Sequence, residues 1–222
     1  MTPGPRSRPP QRPVHAPGRL STARLRPLNR RQAEEMRDDL ADLYVQCTGT
    51  GTAPAHAHAY RGRERFLHRL AGDLRQPGFG MIVAETTALA GYVFGFSVGR
   101  EGTWWRGFHG SPPQVVERLT AAGQVFAVTA IVVHPHERDR GLSGRLQRRL
   151  LADHHAALGA TLLARVDDDA YSGFTALGWH QIGEVHRPFG PAVLRALVLP
   201  LGDRTTAALH DLTRRGRPQH RG

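Results

Sequence analysis

The sequence predicts an α/β fold in which a mixed central sheet is flanked by helices on both faces. Three observations predict it. The nearly unbroken apolar run over 125–134 is typical of a central strand that is covered on both faces. Two further apolar runs, 80–85 and 89–98, are joined by a short turn and indicate two adjacent strands. Residues 142–158 then place leucines at helical spacing, which indicates an amphipathic helix soon after the central strand.

The other elements follow from the same periodicities. Residues 22–28 alternate as a first strand, and Asn29 is a suitable cap for a helix over 30–46. A loop rich in Gly, Thr, Ala and His over 48–59 precedes a second helix over 62–75. The predicted order is therefore β-α-α-β-β-β-α-β-α-β-β. The later elements are an insert over 100–123 with a short helix at 113–122, strands at 161–166, 179–186 and 193–199, and a short helix at 170–177.

The net charge of +11 belongs to the two ends of the chain. Residues 1–33 hold eight Arg and no acidic residue, and residues 203–222 hold five Arg and two Asp, whereas 34–202 are balanced. A neutral central part disfavours a nucleic-acid-binding domain, so the charged ends are either solvated tails or contacts for acidic surfaces. We expect a disordered Arg/Pro-rich tail over 1–21, one domain over 22–202 and a basic tail from 203 onward.

Length and composition restrict the class of protein further. The 222 residues suffice for one ample domain but not for two well-filled ones. The single cysteine, Cys47, excludes an internal disulfide framework and a cysteine-rich metal site. No run of about 18 apolar residues predicts a membrane span, and no apolar secretory segment is found near the N-terminus. These features together predict a cytoplasmic protein without a membrane partner.

The strongest functional signal is the polar turn that follows the central strand. The first turn of a helix has unpaired N–H groups and the positive end of the helix dipole, so it attracts anions. Small residues there let a phosphate approach the backbone, and arginine suits phosphate geometry. The turn predicts a pyrophosphate-like ligand, with an ordinary surface connection as the alternative; it matches neither the Walker motif nor the dinucleotide fingerprint. Its residues are Arg138, Asp139, Arg140, Gly141, Leu142, Ser143 and Gly144, with Arg145 just after them.

Two segments resemble the motifs of the GNAT acetyltransferases. The run Arg138-x-x-Gly141-x-Ser143 resembles the acetyl-CoA signature Arg/Gln-x-x-Gly-x-Gly/Ala, and a Val-x-Pro lead-in precedes it at 133–135. Residues 170–179 resemble the later Ala-x-x-Phe-Tyr-x-x-Leu-Gly-Phe helix and turn of that family. The second segment lies one helix and one strand downstream of the first, as the family requires. The resemblance implies a GNAT-like mixed sheet and acetyl-CoA as co-substrate, with no metal.

The resemblance also implies roles for individual residues in binding the co-substrate. Val132 and Val133 would present backbone groups to the pantetheine arm and the thioester carbonyl. The amides over 138–144 would hold the pyrophosphate. Asp167 and Phe174 occupy the positions of a family asparagine and tyrosine beside the cofactor. The acceptor amine would attack the thioester directly, without an acyl-enzyme.

The sequence departs from the family at the positions that carry acid–base chemistry. The family often has a glutamate on the central strand, where this chain has Ala127 and Thr129, and its tyrosine acid aligns with Phe174. The candidate substitutes are Tyr171 as the acid, or else a packed aromatic, and Glu85 as a base acting through water, or else a turn carboxylate. CoA binding is therefore predicted to be intact, whereas the standard acid–base groups are missing.

The acceptor site is expected in the insert, where the family commonly forms it. Trp104, Trp105 and His109 either line a pocket for the acceptor or anchor a long loop. His134 and His136 could suggest a metal site, but no third and fourth ligand lies near them in the sequence. We interpret them as exposed turn residues. The leading hypothesis is an N-acetyltransferase for a small-molecule or peptide amine. The alternatives are a non-catalytic acyl-CoA-binding module and a nucleic-acid-associated protein acting through its tails, and a homodimer is left open.

Overall fold

Seven strands and six helices form the part of the chain that the computed structural model describes, which is residues 21–48, 55–188, 193–202 and 205–207. The strands are β1 (Arg24–Leu28), β2 (Gly80–Glu85), β3 (Leu89–Ser97), β4 (Val125–Val133), β5 (Leu158–Ala164), β6 (His180–His186) and β7 (Val193–Pro200). The helices are α1 (Arg30–Glu35), α2 (Arg37–Thr48), α3 (Ala55–Leu74), α4 (Gln114–Ala121), α5 (Leu142–Asp153) and α6 (Asp168–Ala176). Single 3₁₀ segments occupy Thr103–Trp105 and Pro135–Arg140.

The strands form one mixed sheet in the order β1-β2-β3-β4-β5-β7-β6. Only β4 and β5 pair in parallel within the described ranges, and they do so at three positions, the last of which joins Ala127 to Ala160. β4 continues for six residues beyond Ala127, and β5 continues to Ala164 while it pairs with β7 on its other side. The two central strands therefore separate after Ala127 and leave a split in the middle of the sheet.

A β-bulge lies in β4 where this split opens. Gly95 pairs with Val128 and Phe94 pairs with Ala130, so Thr129 is the extra residue on β4. The Thr129 hydroxyl oxygen is 3.4 Å from the Phe94 carbonyl oxygen. Because a bulge re-aims a side chain and breaks the regular ladder, the bulge gives Thr129 a direction that strict alternation would not give it.

Helices cover both faces of the sheet, as the apolar sequence of β4 predicts. α5 packs its leucines on one face against Val128 and Val133, whereas α2 and α3 pack on the other face against Ala130 and Val132. A third cluster beneath the insert contains Trp105 and buried residues of α4 and β5. None of the helices in the described ranges is both long and apolar enough to cross a membrane.

The predicted fold class and element order are confirmed, but several predicted boundaries are wrong. The helix predicted over 30–46 is divided at Met36, whose backbone departs from helical geometry. α3 begins at Ala55 inside the predicted loop, and 49–54 lie outside the described residues. α5 ends at Asp153, because His155 has φ 48° and turns the chain so that β5 begins earlier than predicted. The predicted tails lie outside the described residues, apart from Ser21 and 205–207, and stay predictions.

Candidate functional site

The edge of β4 that faces the split carries backbone groups that β5 does not pair, and one of them, the Val133 carbonyl oxygen, accepts from the Cys47 thiol at 3.4 Å. The N–H of His134 donates to the carbonyl oxygen of Ala90 on β3 at 2.9 Å. Because successive residues of a strand direct their backbone groups to opposite sides, Val132 also bonds to β3. The groups of Ile131 and Val133 therefore point toward β5, which does not pair with β4 there. This corrects the expectation for Val132 and leaves Val133 facing the split.

The helix that follows the split begins without a side-chain cap. Gly141 adopts φ 68°, a left-handed conformation that suits glycine, and α5 starts directly after it. The amides of 142–144 have no intrahelical acceptor, and Gly141 at the N-cap has no side chain to cap them. Gly144 is buried, and a Cβ there would lie 3.4 Å from Leu177. The backbone amides at the start of α5 are thus open, as the predicted anion site requires, and the anion site itself stays a prediction. The side chains of 138–139 lie outside the described residues.

Two arginines near this turn have different partners. Arg145 donates to the carbonyl oxygens of Ser21 at 2.6 Å and Ala23 at 2.9 Å, so it fixes the segment before β1 and is not directed at the turn. Arg140 pairs with Glu137 at 3.1 Å, but its side chain stays half-exposed. Of these two, only Arg140 has a guanidinium group that an anion at the turn could recruit, contrary to the expectation for Arg145.

Asp167 and Phe174 stabilise and anchor α6. The Asp167 carboxylate accepts from the N–H of Ala170 at 3.0 Å and is the N-cap of the helix. Phe174 is buried edge-on against Trp179, with 5.1 Å between the ring centroids. Phe174 belongs to the core cluster that contains Val133 and the buried leucines of α5, so it packs on the α5 face of the sheet next to the split. It has no proton to donate.

Tyr171, the candidate acid, lies one turn before Phe174 on α6. The guanidinium of Arg195 on β7 sits over its ring at 4.4 Å from the centroid and also pairs with Asp168 at 2.8 Å. Arg195 is the neighbour of Leu163 in the sheet, so Tyr171 lies beside the end of β5 that leaves β4. This position is compatible with the predicted role of Tyr171, which stays a prediction.

Glu85, the candidate base, lies at the end of β2 and is separated from β4 by β3. Its carboxylate accepts from Arg26 Nη2 at 2.6 Å and from Arg26 Nε at 3.2 Å. Those hydrogen bonds lower the pKa of Glu85; burial opposes them, and the charges of Arg26 and Arg24 reinforce them. The structure therefore places Glu85 in an ion pair away from the split, where it is poorly suited to accept a proton from a substrate.

The two tryptophans of the insert have separate environments. Trp105 is buried, and its Nε1–H donates to the hydroxyl of Thr120 at 2.9 Å, so it anchors the insert to α4. Trp104 lies edge-on to Phe96, with 5.7 Å between the centroids, and lines a cavity of about 430 Å³. The Nε1–H of Trp104 is buried without a partner among the described residues.

The cavity beside Trp104 lies next to the bulge. Phe96 at its wall pairs with Ala127 on β4, two residues before Thr129. The lining has mixed charge and includes Gln76, Pro77, Arg100, Glu101 and Arg187. His109 is not among the lining residues; its N–H donates to Glu184 at 2.8 Å and its ring stacks on His186. The structure thus brings Trp104 alone of the three predicted acceptor residues to a cavity.

Sequence reasoning did not select Asp73, a carboxylate near the end of α3. The hydroxyl of Thr129 interacts with it, and its Oδ2 is buried without a hydrogen-bond partner in the described part of the chain. Burial raises the pKa of Asp73, and the Thr129 hydroxyl and the charge of Arg69 partly offset this rise. A signal was present, since Phe66, Leu70 and Asp73 have the i, i+4, i+7 spacing of an apolar stripe. Across the described ranges, no three His, Cys, Asp or Glu side chains are placed to hold a metal ion.

Comparison with known proteins identifies the fold. No family model and no curated protein matches the sequence. Among solved structures, the PaiA N-acetyltransferase of Thermoplasma acidophilum in complex with coenzyme A has a TM-score of 0.52 at 9% identity, over 82% of this chain and 100% of that one. A putative GNAT-family acetyltransferase of Desulfovibrio desulfuricans gives 0.52 at 14% identity, over 82% and 100%. Aminoglycoside 6'-acetyltransferase type Ii gives 0.52 at 13% identity, over 81% and 98%.

The chain has the fold of the GNAT-type N-acetyltransferases, as the two sequence motifs predict.

Proposed function

We propose that the chain is an acetyl-CoA-dependent N-acetyltransferase. The observation that carries this proposal is the split between β4 and β5, which opens beside the uncapped start of α5. These two features suit a ligand that combines an extended polar chain with a pyrophosphate. The polar chain would lie in the split, and the pyrophosphate would lie at the start of α5. Acetyl-CoA is such a ligand, and one of the similar solved structures is a complex with coenzyme A.

The backbone supplies most of the co-substrate contacts in this proposal. The pyrophosphate would accept from the amides of 142–144, where the helix dipole favours a negative charge. Arg140 lies on the same turn and adds positive charge, and the sequence has a second arginine, Arg138, two residues earlier. The pantetheine arm would replace the missing strand, bonding to the groups of Ile131 and Val133 that face the split. No side chain is required for these bonds, which suits a site built on a strand and a helix.

The cavity beside Trp104 is the proposed site for the acceptor amine. It lies on the sheet face opposite α5, next to the bulge where the thioester would lie. Phe96 and Trp104 provide an aromatic wall, whereas Arg100, Glu101 and Arg187 offer both charges. This lining suits a small molecule or a peptide end with a primary amine and a second polar group. The amine would attack the thioester directly, because the cavity is lined by Phe96, which pairs with Ala127 where the split opens.

Thermal denaturation and thiol release test this function with the full chain. Acetyl-CoA at millimolar concentration should raise Tm, since a ligand that binds the folded state alone stabilises it. A thiol reagent should then detect CoA release with at least one member of a panel comprising a polyamine, an amino acid, an aminoglycoside and a peptide with a free N-terminus. An unchanged Tm with acetyl-CoA would refute the proposal at its first step.

A non-catalytic acyl-CoA-binding module of the same fold is the second candidate. Buried Phe174 and the apolar Ala127 favour it, because they stand where the family usually has proton-transferring groups. A rise in Tm with acetyl-CoA, combined with no thiol release for any amine in the panel, would establish this alternative instead.

A further inference from the structure

A carboxylate from α3 reaches the bulge of β4 on the sheet face opposite α5. Asp73 continues the stripe of α3 that begins with Phe66 and Leu70, and both of those residues are buried against the sheet. One turn further along this stripe, the carboxyl of Asp73 meets the hydroxyl of Thr129. Thr129 is the bulged residue at the point where β4 leaves β5. Asp73 therefore stands at the opening of the split.

The segment that follows Asp73 lines the proposed acceptor cavity, although Asp73 itself does not. Gln76 and Pro77, three and four residues after Asp73, line that cavity. Phe96 lines it from β3, next to the strand position that precedes the bulge. The cavity and the split are thus on either side of the region where Asp73 meets Thr129.

The contacts of Asp73 do not explain why a charged residue occupies this position. Its Oδ2 is buried without a partner, and no ion pair involves it within the described ranges. The charged side chain that faces it is Arg69, one turn earlier on α3, and the polar one is Thr129 on β4. Asp73 also lies in the last turn of α3, where the helix dipole disfavours a negative charge. Burial and the dipole both disfavour the ionised carboxylate, and Thr129 and Arg69 offset this only in part.

We propose that Asp73 is the general base of the reaction, taking the place in space of the strand carboxylate that Ala127 and Thr129 do not provide. This inference rests on the proposed function. Thr129 is a positioning residue in it: its single hydroxyl proton can turn from the Phe94 carbonyl to the Asp73 carboxylate and fix the orientation of that group.

The proton and electron balance of the step is simple. Asp73 takes one proton from the acceptor ammonium, and the free amine nitrogen forms a bond to the thioester carbonyl carbon. The carbon–sulfur bond breaks, and its electron pair leaves with the CoA sulfur. The second amine proton passes to the thiolate, giving the amide and CoA thiol, and Asp73 releases its proton to water. Burial raises the pKa of Asp73, which makes it a better proton acceptor than an exposed aspartate.

Asp73→Asn tests the proposal, with Glu64→Gln as the matched control. Both changes replace a carboxylate by its amide on α3, but Glu64 is exposed. We expect kcat to fall by about 100-fold or more in Asp73→Asn and to stay unchanged in the control, with the rise in Tm caused by acetyl-CoA unchanged in both. In Asp73→Asn, the acidic limb of the kcat/KM profile should show one ionisation fewer than in wild type. The ionisation that remains should be that of the amine.

Thr129→Val provides a second, independent readout. It keeps the shape of Thr129 but removes the hydroxyl, so the acidic limb should move to higher pH and the plateau kcat should fall, by less than in Asp73→Asn. A wild-type rate and pH profile in Asp73→Asn would overturn the proposal and leave the acetyltransferase function intact. Loss of acetyl-CoA binding in Asp73→Asn would overturn it in favour of a structural role. Absence of thiol release by the wild-type chain would instead overturn the proposed function, and this inference with it.

Discussion

Ser143→Glu separates the stability of α5 from its binding of acetyl-CoA. Ser143 is in the first turn of α5, among the amides proposed to hold the pyrophosphate. A carboxylate in the first turn of a helix stabilises it by about 0.3–1 kcal/mol through the dipole. The same carboxylate would repel a bound phosphate, so stability and binding should change in opposite directions.

The size of the binding effect follows from the charges. Two unit charges about 6 Å apart interact by roughly 1–3 kcal/mol when the effective dielectric constant is about 20 to 60. This corresponds to an increase in Kd of roughly 5- to 100-fold, since about 1.4 kcal/mol changes an affinity tenfold. Added salt should reduce the effect, because the turn is at the surface.

Thermal denaturation with and without acetyl-CoA measures both quantities. The free variant should melt at the wild-type temperature or slightly above it, and its rise in Tm at a fixed acetyl-CoA concentration should shrink. Gln114→Glu is the matched control, because it adds one carboxylate to the exposed first turn of α4, away from the split. If Ser143→Glu bound acetyl-CoA as tightly as this control, the pyrophosphate could not lie at the start of α5.

Other substitutions test the remaining assignments. Glu85→Gln should leave thiol release unchanged and lower the free energy of unfolding by up to about 1 kcal/mol, because the pair with Arg26 is partly exposed. The pKa of Glu85 is lowered in the folded state, so this difference should be present above the pKa of the unfolded chain and disappear as the pH falls through the folded value; thermal melts across pH check it. Trp104→Ala should raise KM for the amine while the acetyl-CoA-induced rise in Tm is kept, as steady-state kinetics would show. Trp105→Phe should instead lower the unfolding free energy by about 1 kcal/mol, because it removes the bond to Thr120, and denaturant titration measures that loss.

The stability of Asp73→Asn provides a prediction that does not depend on the acceptor. The pKa of Asp73 is raised in the folded state, so the ionised carboxylate disfavours folding above that pKa. The amide carries no charge, so Asp73→Asn should unfold at a higher denaturant concentration than wild type at neutral pH, by roughly 1 kcal/mol. The difference should vanish below the pKa of the unfolded chain. A variant that is less stable than wild type at neutral pH would show that Asp73 stabilises the fold.

The parts of the site that the sequence predicts are those encoded by neighbouring residues. The strand over 125–134 and the helix that follows the glycine-containing turn are local patterns, and the structure has both as β4 and α5. The role of Arg145 could not be predicted, because its partners, Ser21 and Ala23, are more than 120 positions away and are backbone carbonyls. Backbone acceptors cannot be recognised from residue types. The sequence therefore indicated only the neighbouring turn as a partner for Arg145.

The bulge and the split have a similar explanation. Nothing in the residue types of 125–133 marks Thr129 as an extra residue, since the bulge exists only in relation to the register of β3. The split is a matter of pairing as well, since β5 pairs with β7 along its whole length but with β4 at only three positions. Asp73 did leave a local signal, a charge in an apolar stripe, but its meaning depends on which part of the sheet that stripe contacts.

The topology explains why the functional groups gather at one place. Parallel strands require a crossover connection, and here that connection is α5, so the start of α5 lies at the end of β4 where the strands part. In the proposed function, the helix start and the strand edge would supply the co-substrate site from a single β-α-β unit. Asp73 and the cavity beside Trp104 lie on the other face, where α3 packs. A base carried by α3 would then act from that face, so the proposal does not require a carboxylate on β4.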